Sequence, residues 1–194
     1  MEIIIRDVKA EDATAIQSIY SHYVTDTVIT FEEDVPPVEE MHSRIKTILD
    51  AGYPYIVACI GQQVVGYCYA STYRPRSGYR FTCESSVYLD HRKKGMGIGD
   101  GRSIIDVALM DDTGKKLMVE LLCQLEKGRW RQVLASTIAD NPASIALHES
   151  LGFVQVAMTP AVGWKLNRWV DTITLQKSLA GGRDTPPSIS TCHE

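Results

Sequence analysis

The feature that most constrains the fold of this chain is the order in which strand-like and helix-like segments follow one another. The opening residues 2–8 form an apolar, β-branched run, and residues 11–24 carry apolar side chains at helical spacing. Continued along the chain, this pattern predicts the order β-α-α-β-β-β-α-β-α-β-β. Such an order favours an α/β domain in which helices cover the faces of a mixed sheet.

Glycine and proline residues place several boundaries between these segments. A Pro-Pro pair precedes the second helix, which is predicted to stop at Gly52. The later runs "FVQVAM" and "WVDTITLQKSL" predict two final strands separated by a loop. We expect one domain over residues 1–179 and a disordered tail, rich in Gly, Pro and Ser, over residues 180–194.

Composition narrows the classes of function. The net charge of −4 argues against general nucleic-acid binding, which needs a basic face. No apolar run approaches the roughly 18 residues of a membrane span, and the first residues lack the pattern of a signal peptide. The five cysteines are widely spaced without a CxxC pair, so neither a metal site nor a disulfide framework is expected. We therefore expect a cytoplasmic protein with reduced thiols.

A basic, glycine-rich stretch, "RKKGMGIG" at residues 92–99, lies between the strand-like "FTCESSVYL" and helix-like sequence. Backbone N–H groups at the start of a helix lack partners within it, and glycines let a phosphate approach them closely. The stretch therefore predicts a pyrophosphate cradle, with Arg92, Lys93 and Lys94 available for a further phosphate. A solvated basic turn is the alternative. The Walker A and dinucleotide-binding patterns are both absent.

The same stretch matches the R/Q-x-x-G-x-G/A motif of the GNAT N-acetyltransferases. "ESSVYLD" before it, and "NPASIALHESLGF" and "VGWKLNRWVDTITLQKSL" after it, resemble the phosphinothricin and methionine sulfoximine acetyltransferase branch of that family. The resemblance covers about residues 2–179. It implies the GNAT fold, acetyl-CoA as the acetyl donor, a small amino-acid-like amine as the acceptor, and a homodimer.

Two titratable residues are candidates for catalysis. Glu84 is the lone charge in an otherwise uncharged strand, which is costly unless its carboxylate faces a cleft; an outward-facing glutamate is the alternative. The resemblance aligns Glu84 with the general base proposed for the branch. His148 stands where many GNAT enzymes have a tyrosine that protonates the leaving thiolate, and histidine can do this near neutral pH. A buried structural histidine is the alternative there.

The resemblance also implies a set of coenzyme contacts. Main-chain groups of Val87 to Leu89 would bind the pantetheine arm, with an N–H near Val87 polarising the thioester carbonyl. Asn141 would contact the pantetheine or the pyrophosphate, although it is also suited to cap the helix before Pro142. Beside the three basic residues named above, the expected set is Val87, Tyr88, Leu89, Gly95, Met96, Gly97, Ile98, Gly99, Asn141 and Ser144.

Charge indicates the acceptor site. Three arginines crowd "YRPRSGYR", just before Glu84, and a guanidinium can grip a carboxylate or phosphinate with two hydrogen bonds. Solvated loop charge is the alternative for each of them. The resemblance adds an anion contact on the last segment and two residues of the loop between the first two helices. The expected acceptor residues are Phe31, Glu32, Arg74, Arg76, Arg80 and Lys165.

Residues 100–114 interrupt the family pattern, because in GNAT enzymes the helix follows the phosphate turn directly. Without them the chain would continue as "GMGIGKKLMVELLCQLEKG". One alternative is that the insertion is itself the helix that receives the phosphates, with a turn at "DDTG" and an extra helix after it. Another is that the insertion loops out and Gly114 starts the core helix. A third is a retained intron in the coding sequence.

Together these observations predict an enzyme that N-acetylates a small anionic amino acid or analogue with acetyl-CoA, by direct transfer and with Glu84 as general base. Acetylation of a protein α-amine or lysine is one alternative, which the acidic chain and the arginine-rich loop disfavour. A weakly active acyl-CoA-binding module is another, because of the insertion. The presence of both Glu84 and His148 favours the enzyme, since a pure binding module has no need of both.

Overall fold

The order of strands and helices along the chain is the predicted one. The structure is a computed structural model that describes residues 2–93 and 104–184, and for residues 93 and 104–112 it describes the backbone alone. The strands are β1 (Ile3–Asp7), β2 (Tyr55–Ile60), β3 (Gln63–Thr72), β4 (Thr82–Leu89), β5 (Gln132–Ile138), β6 (Val154–Lys165) and β7 (Arg168–Ser178). The helices are α1 (Ala13–Thr25), α2 (Val38–Asp50), α3 (Ile104–Glu126) and α4 (Pro142–Ser150).

All of these strands join one mixed sheet in the order β1-β2-β3-β4-β5-β7-β6. Every neighbouring pair is antiparallel except β4 and β5, which are parallel. β4 and β5 pair only over residues 82–84 and 132–134, although both strands continue beyond that point. The sheet therefore splits between these two strands, and the split positions the candidate site.

Helices cover both faces of the sheet, as predicted. α1 and α2 pack on one face, where Ile16 and Ile19 are buried. α3 packs on the other face through Leu117, Leu121 and Leu125, which lie one helical turn apart and are fully buried. β2 lies between the two layers and is buried over residues 55–59, which explains why its sequence is continuously apolar instead of alternating.

The prediction of a loop between the last two strands is wrong. β6 continues to Lys165, and a turn of Leu166 and Asn167, with φ of 49° and 57°, connects it directly to β7. Residues 160–162 form a bulge within β6, where the Ala161 N–H donates to Asp171 Oδ1 at 2.7 Å. Proline and glycine in this stretch are typical of a loop, but an edge strand tolerates both at a bulge.

α3 differs from both structural alternatives for the insertion. It runs without a break from Ile104 to Glu126, so the predicted turn at residues 111–114 is wrong, and the helix does not start at Gly114. The first alternative holds in part, because residues 104–113 are helical. A glycine inside a helix costs about 1 kcal/mol relative to alanine, which by itself is too little to end it. A Cβ at Gly114 would lie 3.4 Å from side-chain atoms of Leu89 and Leu147, so α3 packs directly against β4 and α4 at this position.

Three further features bear on the predictions from composition. The described cysteines are free thiols: Cys59, Cys68, Cys83 and Cys123. Among the side chains that the structure describes, those of residues 2–92 and 113–184, no group of three or more could ligate a metal. None of the helices in the described part of the chain combines the length and apolarity that crossing a membrane requires. The part of the predicted tail beyond Asp184 lies outside the described residues.

Candidate active site

A cleft of about 550 Å³ opens where β4 and β5 separate. Residues 85–89 of β4 form one wall, and residues 135–137 of β5 form the other together with α4. Gly114 and Lys115 of α3 and Tyr23 of α1 also line it. The cleft is thus a direct consequence of the short parallel pairing between the two strands.

The free edge of β4 supplies main-chain groups to this cleft. The Asp90 N–H donates to the Val65 carbonyl of β3 at 2.9 Å, so the backbone N–H of residue 90 points toward β3. Backbone groups alternate between the two edges of a strand, and Leu89 and Val87 therefore point the other way, into the cleft. The Tyr23 hydroxyl makes two hydrogen bonds with Leu89. It donates to the Leu89 carbonyl oxygen at 2.7 Å, and its own oxygen accepts from the Leu89 N–H at 3.2 Å. Val87 is left with its N–H and C=O directed at the cleft.

Glu84 is not itself a lining residue of the cleft; it lies at the last paired position before β4 and β5 separate, in register with Ser71 of β3 and Leu134 of β5. Its Oε1 accepts a hydrogen bond from Ser136 Oγ at 2.8 Å. No basic side chain among those described forms an ion pair with it. Glu84 is therefore a half-buried carboxylate with one hydrogen bond from β5 and no charged partner among the described side chains.

His148 is buried in α4, with its ring edge-on to that of Phe153. Its Nδ1 lies 2.7 Å from the Ser144 carbonyl oxygen, which can only accept, so Nδ1 carries the proton. Burial lowers the pKa of His148, against the opposing effect of that hydrogen bond. The imidazole is therefore neutral near pH 7, with its lone pair on Nε2, and the side chain lines the cleft.

The start of α4 borders the same cleft. The Ser144 N–H donates to Asn141 Oδ1 at 3.2 Å, so Asn141 caps the helix, as its place before a proline predicts. The Asn141 Nδ2 donates to Thr137 Oγ1 at 3.3 Å and ties the helix to the end of β5. All three residues line the cleft, so its α4 wall carries polar groups that are held in place.

A charged network holds the loop between α1 and α2. The Arg44 guanidinium binds both carboxylate oxygens of Glu32, at 2.7 and 3.0 Å, and the Tyr20 hydroxyl donates to Oε1 at 3.0 Å. Burial opposes the ionisation of Glu32, but these hydrogen bonds outweigh it, so the pKa of Glu32 is lowered. Glu32 is therefore ionised, its charge is paired with Arg44, and it fixes the loop to α2.

Two residues of β6 hold the same loop. The buried Lys165 ammonium donates to the carbonyl oxygens of Thr30 at 2.8 Å and Tyr23 at 3.3 Å, and burial lowers the pKa of Lys165. The Phe31 ring lies against Gly163, where a Cβ would come within 2.3 Å of it. The structure thus places Lys165 as a support of the loop that carries Phe31.

Comparisons with known proteins agree with this architecture. A family model described as an acetyltransferase (GNAT) domain matches residues 5–174. The chain belongs to the GNAT acetyltransferase family. It is 40% identical to a phosphinothricin N-acetyltransferase of Alcaligenes faecalis, over 94% of the chain and 86% of the relative. It is 32% identical to an L-methionine sulfoximine/L-methionine sulfone acetyltransferase of Pseudomonas aeruginosa, over 96% of the chain and 100% of the relative.

A solved structure gives the same result at the level of the fold. It is the crystal structure of a GNAT superfamily phosphinothricin acetyltransferase from Sinorhizobium meliloti in complex with AcCoA. The TM-score is 0.85 at 38% sequence identity, over 98% of this chain and 95% of the other. The chain is therefore an N-acetyltransferase, and the predicted GNAT fold is confirmed.

In this acetyltransferase the structure gathers at one place most of those predicted catalytic and coenzyme-binding residues that it describes. Glu84 is hydrogen-bonded to Ser136 of the cleft wall, and the following residues line the cleft: Val87, Tyr88, Leu89, Asn141, Ser144 and His148. Arg92 differs, because its guanidinium is bound to the buried Asp90 carboxylate at 2.8 and 3.1 Å. The predicted turn residues Lys94, Gly95, Met96, Gly97, Ile98 and Gly99 lie outside the described residues, as does the side chain of Lys93.

The three arginines predicted to bind the acceptor do not line the cleft. The Arg74 guanidinium lies over two tyrosine rings of its own loop, at 4.9 and 5.5 Å, and that of Arg80 lies over Phe81 at 4.5 Å. Both residues and Arg76 are exposed, and none of the three pairs with a carboxylate among the described side chains. Their loop joins β3 to β4, so they lie at the end of the sheet near Glu84.

Sequence reasoning missed three residues, of which Ser136 and Tyr23 line the cleft and Arg44 holds the loop between α1 and α2. Ser136 belongs to "VLASTIA", where a polar side chain in an apolar strand is the same signal that marked Glu84. Tyr23 has the helical spacing of a core residue, and no pattern shows that its hydroxyl reaches a main-chain group 66 residues away. Arg44 is on a charged helix, where surface ion pairs are ordinary.

Proposed function

We propose that this acetyltransferase moves the acetyl group of acetyl-CoA to the α-amino group of a small anionic amino acid, of the phosphinothricin or methionine sulfoximine type. The names of the two relatives support the acceptor class, and the AcCoA complex of the Sinorhizobium meliloti protein supports the donor. The observation that carries the proposal is the position of Glu84, at the point where β4 and β5 separate and hydrogen-bonded to Ser136 of the cleft wall, beside the main chain of Val87.

Glu84 serves as the general base. The ammonium group of an amino acid cannot attack a thioester until it loses a proton, and a carboxylate within hydrogen-bond reach, or one water away, can take that proton. The amine then attacks the thioester carbon, and the Val87 N–H stabilises the oxyanion that forms on the carbonyl oxygen. Each of these contributions typically accelerates a reaction about 10²-fold or more.

His148 transfers a proton from the attacking nitrogen to the leaving thiolate. Because its Nδ1 proton is bound to Ser144 and burial lowers its pKa, the resting imidazole of His148 has a lone pair on Nε2 and no proton to give there. It therefore first accepts the proton that the attacking nitrogen releases as the amide bond forms. It then gives that proton to the sulfur as the C–S bond breaks, and the imidazole returns to its neutral state.

The arginine loop selects an anionic acceptor, with Arg74, Arg76 and Arg80 facing the acceptor's second acidic or polar group. No described carboxylate neutralises these guanidinium groups, so a phosphinate or carboxylate of the acceptor can pair with them. Glu32 and Lys165 affect acceptor binding indirectly. Their charged groups are already bound within the chain, and they hold in place the loop between α1 and α2.

Thiol release from acetyl-CoA tests this function directly. We expect turnover with phosphinothricin and L-methionine sulfone, slower turnover with amino acids that have a neutral side chain, and an N-acetylated product by mass spectrometry. Turnover confined to a peptide α-amine or a lysine side chain would instead support a protein acetyltransferase. Binding of acetyl-CoA without turnover of any acceptor would support a binding module.

We also propose that the enzyme is a homodimer that associates through β6. β6 is the edge strand of the sheet, and large apolar side chains are exposed along it, on its turn and on the start of β7: Val154, Val156, Met158, Val162, Trp164, Leu166 and Trp169. Exposed apolar surface on an edge strand is typical of an interface. Light scattering is expected to give twice the mass of the chain, and Trp164→Glu is expected to give monomers. A monomeric parent chain at micromolar concentration would contradict this assignment.

A further inference from the structure

Ser136 links β5 to Glu84 at the point where the sheet divides. Glu84 is in register with Leu134, and Ser136 is two residues farther along β5, so both side chains lie on the same face. The Ser136 hydroxyl donates to Glu84 Oε1 at 2.8 Å. The strand pairing ends at Leu134, so this contact is a side-chain link between β4 and β5 at the point where they separate.

The β5 end of this link is held firmly. β5 pairs with β7 along its whole length, and Ser136 lies opposite Thr174. β4, in contrast, loses its β5 neighbour after Glu84. A glutamate side chain has several rotatable bonds, so a hydrogen bond from a fully paired strand restricts where its carboxylate can lie.

The link also gives the two carboxylate oxygens different tasks. A serine hydroxyl has one proton to donate, and an ionised carboxylate can only accept. That proton goes to Oε1 of Glu84, whereas Oε2 has no hydrogen-bond partner among the described side chains. Oε2 is therefore the oxygen that is free to take a proton from a bound amine.

We propose that Ser136 is the positioning residue of the general base, holding Oε1 so that Oε2 of Glu84 faces the acceptor's amine. This inference rests on the proposed role of Glu84. In this role Ser136 acts through the carboxylate of Glu84, and not on the proton in transfer or on the thioester. Its effect on the rate arises because small displacements of a catalytic group slow the reaction steeply.

A matched set of variants tests this role by steady-state kinetics. Ser136→Ala and Ser136→Val remove the hydroxyl and are expected to lower kcat about tenfold, while the dissociation constant of acetyl-CoA stays within about twofold. Ser136→Thr has the shape of the valine variant but keeps the hydroxyl, and it is expected to retain most of kcat. In a Glu84→Gln background, Ser136→Ala is expected to have no further effect, because the group through which it acts is gone.

Ser178→Ala is the control variant. Ser178 Oγ donates to Gln132 Oε1 at 3.2 Å, so it also links a neighbouring strand to β5, but at the end of β5 away from the cleft. We expect it to leave kcat unchanged. Because Ser136 is exposed, its truncation leaves no cavity, and thermal melts check that every variant folds.

The outcomes separate this inference from the proposed function. Full activity of Ser136→Ala and Ser136→Val beside an inactive Glu84→Gln would overturn the positioning role and leave the base assignment standing. An equal loss from Ser136→Ala in both backgrounds would also overturn it, since the serine would then act independently of the carboxylate. Full activity of Glu84→Gln would overturn both assignments.

Discussion

Removal of Asp100–Gly114 is expected to tighten the binding of acetyl-CoA. α3 begins at Ile104, ten residues before Gly114, and Gly114 and Lys115 line the cleft. At a rise of about 1.5 Å per residue, the N-terminus of α3 is about 15 Å along the helix axis from the part that borders the cleft. The N–H groups of residues 114–117 have carbonyl partners one turn earlier in the helix, so they are not free to bind a phosphate there.

The size of the expected change follows from the amides that the deletion releases. In the shortened chain Lys115 follows Gly99, and the first N–H groups of the helix have no upstream partner. Hydrogen bonds to charged acceptors contribute about 1.5–3 kcal/mol each, so two recovered contacts to phosphate correspond to about 3 kcal/mol, or roughly a hundredfold in the dissociation constant. The shortened helix keeps the buried Leu117, Leu121 and Leu125, so the fold is expected to survive.

Calorimetric titration of both forms measures this change. Acetyl-pantetheine, which carries no phosphate, is the matched control ligand, and its affinity is expected to be the same for both forms. Equal affinities of the two forms for acetyl-CoA would refute the reasoning, because the released amides would then make no contact with phosphate. A shortened chain that does not fold would show that the insertion is an integral part of this protein.

Four further predictions concern single side chains. Glu84→Gln is expected to lower kcat about 10²-fold or more with an unchanged affinity for acetyl-CoA; an unaltered pH–rate profile would count against the base assignment. Arg74→Ala is expected to raise KM about tenfold for a phosphinate acceptor and far less for a neutral amine, because an exposed guanidinium contributes through charge pairing alone. Equal effects on the KM of both acceptors would exclude an anion contact at Arg74. Gly163→Ala is expected to raise the acceptor KM, since the methyl group would displace the exposed Phe31 ring, and an unchanged KM would contradict this packing. Stability is expected to decline as the pH falls below 6.5, because burial holds the folded-state pKa of His148 below that value and the unfolded chain takes up the proton first. Melts at about pH 7.5 and about pH 5.5 check this, and His148→Gln should show the smaller decline.

The order of elements was predictable because it depends on local patterns. The helical spacing of Ile16 and Ile19 marked α1, the Asn141 cap marked α4, and the charge of Glu84 in an apolar strand marked the candidate base. Each of these signals lies within a few residues of the feature that it predicts. The glycine-rich motif at residues 92–99 identified the family in the same way, by local sequence.

The two wrong predictions of secondary structure came from residues whose effect depends on their neighbours in space. Pro160 and Gly163 are typical of a loop, but beside β7 they are absorbed into a bulge of an edge strand. Gly114 follows turn-like residues, but it lies in the middle of a helix where α3 approaches two leucine side chains closely. Local propensity is weaker than packing at both places.

The sequence by itself determined the fold class, the family, and the segments that meet at the cleft. Only the tertiary structure decided which groups are paired. Ser136 and Glu84 are 52 residues apart, Tyr23 and Leu89 are 66 apart, and Lys165 and Thr30 are 135 apart. The distance between such groups is set by strand order and register, so a charged or polar residue that reads as a free ligand contact, as Lys165 does, can instead be bound to the main chain of its own fold.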